Sequence, residues 1–425
     1  MKKEFIYIIV SMAIIACRNA NVTEIKPYAQ NLAESAEALQ VKDQYPSMEL
    51  VTDKAIHLPV MEESTDNVTN IKTNIHYLPL ETTEECLIGH IDKLVSDDSC
   101  LFVFDQTNQS ILRFSQKDGS FLNKIGSKGR GPGEFIEVID VSLNRKKKEI
   151  CLIDFSLFKL MFFDYNGRLI QEKPLYYVYN GMEFLDNRII LHTGFNENTM
   201  APSVNNNRLV LAEMDQTPLC VGFAFPENLK ANFHHGVRHD FVTCDGDVYY
   251  NHVLSDTIWQ IKEDGICEAK YVIKFPNRDN LYNEEDFKNI TDNDFEERQK
   301  STPHYQNNFI ITKDFVKVSA FDENHSQKLL YCISTGHRTN NLFHKIFGKP
   351  TDIGTIEFTL NDETFVDVIQ PFEILKDFQF YKNNFNEMQY TNFLNTQLTE
   401  EERQLLNNMT EEDNPILMIM DIEPF

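Results

Sequence analysis

The sequence predicts an all-β protein: a six-bladed β-propeller of four-stranded antiparallel blades, with small helical inserts and an N-terminal tether. Three observations predict it. "ILRFSQKDGSFLNKIG", "KLMFFDYNGRLIQEKPL" and "TIWQIKEDGICEAKYVIKF" each place an apolar, aromatic-rich strand before Asp-Gly or Asn-Gly and a second alternating strand after it, the signal of a tight hairpin. Their glycines, Gly119, Gly167 and Gly265, are spaced by 48 and then 98 residues, so one period is about 49 and a copy falls near 216, where "NRLVLAEMDQTPLCVGFAFP" repeats the pattern with the glycine lost. Two further strands precede each hairpin, as in "GHIDKLVSDDSCLFVFD", "EVIDVSLNRKKKEICLIDF", "GMEFLDNRIILHTGF" and "RHDFVTCDGDVYYNHV". A four-stranded antiparallel unit that cannot bury both faces alone stacks against copies of itself around an axis.

Length sets the blade number. From Ile71 to Asp421 there are 351 residues, and two acidic, helix-leaning stretches, 277–308 and 383–414, interrupt the repeat with 32 residues each. The remaining 287 residues give about 48 for each of six blades, whereas seven would need blades shorter than the observed spacing. Thr399 and Glu402 in the second insert have the spacing of a capping box. After Gly265 the next candidate turn glycine is Gly348 in "NLFHKIFGKP". The last segment, "NPILMIMDIEPF", is a strand that follows a helix, and "TNIHYLPLET" (73–82) is a strand that precedes the first blade. These two are expected to pair, because a ring closed only by loops would leave two open edges.

The N-terminus reads as a targeting segment. Met1-Lys2-Lys3 precedes an apolar run from Phe5 to Ala16, and Ile14-Ile15-Ala16-Cys17 has the layout of a lipobox, so residues 1–16 are expected to be a signal peptide and Cys17 the lipidated mature N-terminus. Residues 17–70 read as a lipidated tether, mostly polar and without a core pattern, and 71–425 as the propeller. As a flexible chain, the tether would reach on the order of 40 Å from the bilayer. The charge is −25, with 65 acidic against 40 basic residues, which disfavours nucleic acid as a partner. Eight cysteines show no CxxC pair, and Cys100 and Cys151 open strands as small buried hydrophobes.

"KIGSKGRGPGEF" (124–135) gathers four glycines, but a phosphate loop needs them between a strand and a helix with Gly-Lys-Ser/Thr. Here a strand follows and Lys128 precedes Gly129, so the stretch reads as the corner that carries the chain from one blade to the next. "GSKGRGPGEF" followed by "EICLIDFSLFKLMFFDYNGRLI" resembles the NHL-type propeller repeat. "LPLETTEECLIGHIDKL" with "FDQTNQSILRFSQKDGSFLNKIGSKGRGPGEF" is similar to the six-bladed propeller lipoproteins abundant in Bacteroidota. The resemblance covers residues 71–270 most fully and implies fold and location rather than a reaction. It places the chain in the bacterial cell envelope as an outer-membrane lipoprotein. Many members carry acidic residues after the lipidated cysteine, where this chain has Arg18-Asn19-Ala20-Asn21, so the membrane face stays open.

The expected function is a binding module for an envelope glycan, peptide or partner protein, held to the membrane by its lipid. Candidate ligand contacts are Arg130 and Glu134 on the glycine corner and His235, Arg238 and His239 of "NFHHGVRHDF"; Arg130, Glu134, His235 and Arg238 are expected near one propeller face. On a strand, His235 and His239 share one side. No cofactor is assigned. The alternative is a hydrolase or lyase of the gluconolactonase or NHL type with a divalent metal in the channel, for which Asp140, Glu183, His235, His239 and Asp240 are the inner-strand candidates. Asp105, Asp154 and Asp164 recur at strand ends and read as turn caps, and Phe102, Phe104, Phe162 and Phe163 as inter-blade core.

Overall fold

A computed structural model describes residues 42, 44–60, 71–97, 99–196, 198–199, 201–225, 240–252, 255–276, 304–322, 325–340, 343–352 and 356–425. Two short strands come first, β1 (Glu49–Val51) and β2 (Ile56–Pro59), followed by β3 (Thr73–Pro79). Blade one comprises β4 (Lys93–Asp97), β5 (Cys100–Asp105), β6 (Ser110–Ser115) and β7 (Phe121–Lys124). The glycine corner contributes β8 (Ser127–Lys128) and β9 (Glu134–Phe135). Blade two is β10 (Val138–Asn144), β11 (Glu149–Asp154), β12 (Lys159–Asp164) and β13 (Leu169–Pro174). Blade three is β14 (Gly181–Leu185), β15 (Arg188–His192), β16 (Asn207–Glu213) and β17 (Pro218–Ala224).

Blade four is β18 (Phe241–Cys244), β19 (Asp247–Tyr250), β20 (Thr257–Ile261) and β21 (Ile266–Lys274). Blade five is β22 (His304–Ile311), β23 (Phe315–Asp322), β24 (His325–Cys332) and β25 (Arg338–Thr339). A separate hairpin, β26 (Phe343–Ile346) and β27 (Lys349–Asp352), precedes blade six. That blade starts with β28 (Phe358–Leu360) and β29 (Thr364–Ile369), is interrupted by helices α1 (Pro371–Asn384), α2 (Glu387–Gln397) and α3 (Glu400–Asn408), and resumes at β30 (Ile416–Ile422). Its outermost strand is β3, from the other end of the chain.

Alternation of side chains along each strand builds the wheel. Leu101 and Val103 of β5 join Phe358, Val366 and Leu417 of blade six, whereas Cys100, Phe102 and Phe104 of the same strand join Val138, Ile150 and Met161 of blade two. The same division holds round the ring, so the six apolar clusters are six layers between neighbouring blades. The inner strands β4, β10, β14, β18, β22 and β28 touch in sequence and return to β4. Closure is by antiparallel pairing of β3 with β30 from Thr73↔Ile422 to Pro79↔Ile416, as the open-edge argument expects. Asn414 locks this joint: its Nδ2 donates to the carbonyls of Glu81 and Cys86 at 2.6 and 2.8 Å, and its Oδ1 accepts from Ile88 N at 2.8 Å.

The recurring turn glycines have two reasons to be glycine. Gly119 and Gly167 have φ of 70° and 80°, and a Cβ on them would lie 2.0 Å from the Pro79 carbonyl and 2.4 Å from the Lys124 carbonyl, each at the end of the preceding blade's outer strand. In blade three Gln216 stands in the same turn with φ 73°. Its Nε2 donates to the Pro174 carbonyl at 2.9 Å and its Oε1 accepts from the Tyr179 hydroxyl at 3.0 Å, so an amide reaches the carbonyl that the glycine backbone approaches elsewhere. The turn of blade five is at Thr335-Gly336 (φ 76°), not at Gly348, which belongs to the β26–β27 hairpin. A Thr-Gly pair lacks the Asx residue that marks the other turns, so its register is hidden in the sequence.

Three expected boundaries move. Residues 44–60, inside the stretch read as a tether, are docked on blade four: β1 and β2 pair in parallel with β21, and Leu58 and Val60 are 0% and 1% exposed. The helical insert of blade six begins at Pro371 rather than 383, because a proline at the first helical position opens a segment whose aromatic run "FQFY" has strand-like composition. β22 starts at His304, inside the range read as the first insert, and 277–303 lie outside the described residues. The α3 capping box forms as read, with Thr399 N donating to Glu402 Oε2 at 2.8 Å. Glu402 Oε1 also accepts from the Tyr77 hydroxyl (2.9 Å) and Phe347 N (2.6 Å), which fastens the helices to β3. Cys100 and Cys151 are buried and free, as are the other five cysteines described.

One buried charge sits between blades five and six. Lys317 is 2% exposed and donates from Nζ to the Ile356 carbonyl at 2.5 Å, and burial pushes its pKa down to about 8. The unfolded chain holds that proton up to its ordinary value near 10.5, so between about 8 and 10.5 the unfolded state binds more protons and stability rises with pH. Lys317→Met is expected to be more stable than the parent by about 1–3 kcal/mol at pH 7, an advantage that fades as pH approaches 10, measured by urea denaturation across this range.

Candidate functional site

The inner strands begin at one end of the channel, where the crossovers from each outer strand deliver the chain. Four blades place charged groups there. Lys93 opens β4 and its Nζ lies 2.7 Å from Asp140 Oδ1 of β10. Asp140 Oδ2 accepts from Met182 N of β14 at 3.0 Å. One step deeper, Ser142 Oγ donates to Glu183 Oε1 at 2.5 Å, and that carboxylate also accepts from Phe184 N. His192 Nδ1 of β15 meets Asp240 Oδ2, just ahead of β18, at 2.6 Å. Gly181 lies beside both aspartates, a Cβ built on it falling 3.4 Å from Asp240 Oδ2 and 3.8 Å from Asp140 Oδ2, at ordinary contact distance.

Burial opposes the Lys93 charge, yet Asp140, Glu183 and Asp240 outweigh it and hold the ammonium above its ordinary pKa. Burial pushes the Glu183 carboxyl up, with Lys93 and the Ser142 hydroxyl pulling the other way. The cluster is therefore one ammonium among three carboxylates, with a histidine oriented by the third. It opens on a cavity of about 70 Å³ along the axis, lined by Lys93, Glu183, Thr243, Glu357 and, at the far end, Arg145 and Asp362. That volume holds a few waters, not a sugar ring, so a larger ligand would rest on the entrance and send in only a small polar group.

The far end of the channel is stitched by structural bonds. Arg145 Nε donates to the Ser96 carbonyl at 3.0 Å, and Asp97 accepts from Lys148 Nζ at 2.6 Å and the Tyr165 hydroxyl at 2.9 Å. Asp245 N reaches Asp362 Oδ2 at 3.1 Å.

The residues expected from sequence fall into three groups. Asp140, Glu183 and Asp240, read as inner-strand candidates, are brought together. Arg130 is exposed on the glycine corner. Glu134 folds back into that corner, its Oε2 accepting from Gly131 N at 2.7 Å, while Gly133 N donates to Glu172 of β13, so the corner packs on the outer strands of blade two. His235, Arg238 and His239 lie outside the described residues. Lys93, Ser142 and His192 escaped sequence reasoning, since a lone lysine, serine or histidine on a strand carries no motif. Asp105 and Asp154 serve as the caps expected: Asp105 accepts from Gly89 N (2.7 Å) and Asn108 N (2.9 Å), Asp154 from Ile136 N (2.8 Å) and Leu157 N (3.0 Å). Asp164 caps its hairpin through Asn166 N and Arg168 N, both at 2.9 Å. Among the described residues no three His, Cys, Asp or Glu side chains are grouped to hold a metal ion.

Fold and site together define a six-bladed β-propeller with a charged channel entrance. The chain belongs to the family described as "Domain of unknown function (DUF4934)", whose model matches residues 54–421. Among solved structures it is similar to a presumptive exported protein of Bacteroides fragilis, at 17% identity and a TM-score of 0.68, over 87% of this chain and 100% of that one. It is also similar to a member of the DUF4221 family from Bacteroides vulgatus, at 10% identity and a TM-score of 0.47, over 84% and 99% of the two chains. Among curated proteins none matches the chain.

Asp140→Asn strands the Lys93 ammonium without its nearest anion. It is expected to cost about 3 kcal/mol in urea denaturation, and Lys93→Met combined with it should recover much of that loss.

Proposed function

We propose that this protein is a cell-envelope lipoprotein whose propeller binds an envelope glycan, peptide or protein segment at the channel entrance. The observation that carries the reading is the partly buried cluster Lys93, Asp140, Glu183, Asp240 and His192, contributed by four blades to one end of the axis. Placing charges in a low-dielectric wall has a cost that an apolar lining would avoid, and such groups at a concave mouth supply orientation and specificity to a bound ligand. The lipobox at Cys17 and the exported description of the B. fragilis protein support location in the envelope. On this reading His235, Arg238 and His239, which directly precede Asp240 in sequence, are the further ligand contacts.

Two measurements test it. Lipid labelling of the expressed full chain should be abolished by Cys17→Ser, and retention of the label would remove the anchor. A thermal-shift screen of envelope oligosaccharides and peptides should find a ligand that stabilises by about 2.7 kcal/mol at a hundredfold excess over its Kd. Asp240→Asn and Arg238→Ala should each weaken that ligand at least tenfold. A ligand that binds both variants as tightly as the parent would place the site elsewhere, and a screen without any stabilising ligand would count against the binding reading.

A further inference from the structure

Blade four carries two short strands that its repeat does not supply. The four strands β18 to β21 complete an antiparallel sheet like those of the other blades, yet β1 and β2 add to the outer edge of β21 in parallel, Glu49↔Ile266 to Val51↔Glu268 and Ile56↔Tyr271 to Pro59↔Lys274. Before reaching that edge the segment bridges to blade three: Val221 N donates to the Pro46 carbonyl at 3.0 Å and Met48 N to the Val221 carbonyl at 2.7 Å.

A socket receives it. A Cβ on Gly222 of β17 would lie 2.5 Å from Met48 Sδ and 2.9 Å from its Cγ, so the side chain fits only because glycine is there. Met48 Sδ also lies 3.7 Å from Cys267 Sγ, and Met48 fills the layer between blades three and four that holds Cys220 and Cys267. Farther along, Leu58 and Val60 enter the layer between blades four and five, against Tyr271 and Phe309. Residues before 54, which include Met48 and β1, fall outside the family match.

We propose that the rim where blades three and four meet is a strand-docking site, assembled by the propeller and occupied by this chain's own residues 44–60, which fastens the N-terminal tether to the side of the wheel. Docking takes 17 residues out of the expected 17–70 tether and fixes the point from which it leaves. Only what lies upstream of the dock rests on the lipoprotein reading, and the dock itself is tested without it.

The experiment uses the full chain. In the docked state the Cys220 and Cys267 thiols are buried, with burial pushing them up to about 11 and about 12, and should resist alkylation. Gly222→Ala fills the socket. It should speed alkylation of Cys267, read by peptide mass spectrometry, at least tenfold and raise backbone hydrogen exchange over 44–60, leaving exchange in β10 to β13 unchanged. Adding Met48→Ala returns space to the socket and should restore slow alkylation. Met48→Ala alone should give a smaller rise. Parental alkylation and exchange in Gly222→Ala, a rise spread equally over all six blades, or no recovery in the double variant would each overturn the proposal. Lipid labelling at Cys17 is independent of all these readouts.

Discussion

The fold depends on pairing between its two ends. β3 and β30 lie more than three hundred residues apart in sequence, and the seven register pairs between them turn a row of sheets into a ring. Before that contact forms, blade six lacks its outer strand and the layer between blades six and one lacks Leu78. Contacts of such separation carry a large loop-closure cost, which is repaid only when the whole wheel is assembled. The polar groups collected at the joint reflect that demand. Asn414 satisfies three backbone groups of the 81–88 loop, and Glu402 ties the helices to the middle of β3.

Ring closure also makes the channel. Six inner strands crowd the axis, and what they carry is unequal: blades one to four contribute an ammonium, carboxylates and a histidine at the entrance, whereas blades five and six line the cavity with Phe309, Ile310 and Phe358 beside Glu357. The side-chain pairs of the entrance cluster cross from one blade to the next, Lys93 to Asp140, Ser142 to Glu183, His192 to Asp240. The cluster thus serves as a brace between blades and as the polar surface of the mouth. A buried ionic set of this kind is weak evidence for stability by itself, since apolar replacements of similar volume are often neutral or better. Its presence at a concave opening is what directs attention to recognition.

The rim has its own logic. The turns of blades one to three rest on the end of the preceding blade's outer strand, and glycine or Gln216 meets that carbonyl in different ways. Between blades three and four the rim accepts two short parallel strands, so the wheel has one edge reserved for the segment leading to its N-terminus.

How much of this was legible in the sequence follows from the range of the forces. Hairpin turns are set by Asp118-Gly119, Asn166-Gly167 and Asp264-Gly265 through local dihedral preference, and strand faces by alternation, so blade number, closing strand, turn caps and the Thr399 capping box could all be read. Asp140, Glu183 and Asp240 were visible as charged residues on inner strands. Their union through Lys93 and His192 was not, because it joins residues of four blades that only the ring brings within hydrogen-bond distance. The docked segment 44–60 was likewise hidden: its anchors Met48, Leu58 and Val60 follow no period of their own and gain meaning from Gly222 and β21 far along the chain. Sequence alone determined the repeat, since its signals act over a few residues. The tertiary structure decided the channel entrance and the dock, since both are made of contacts between blades.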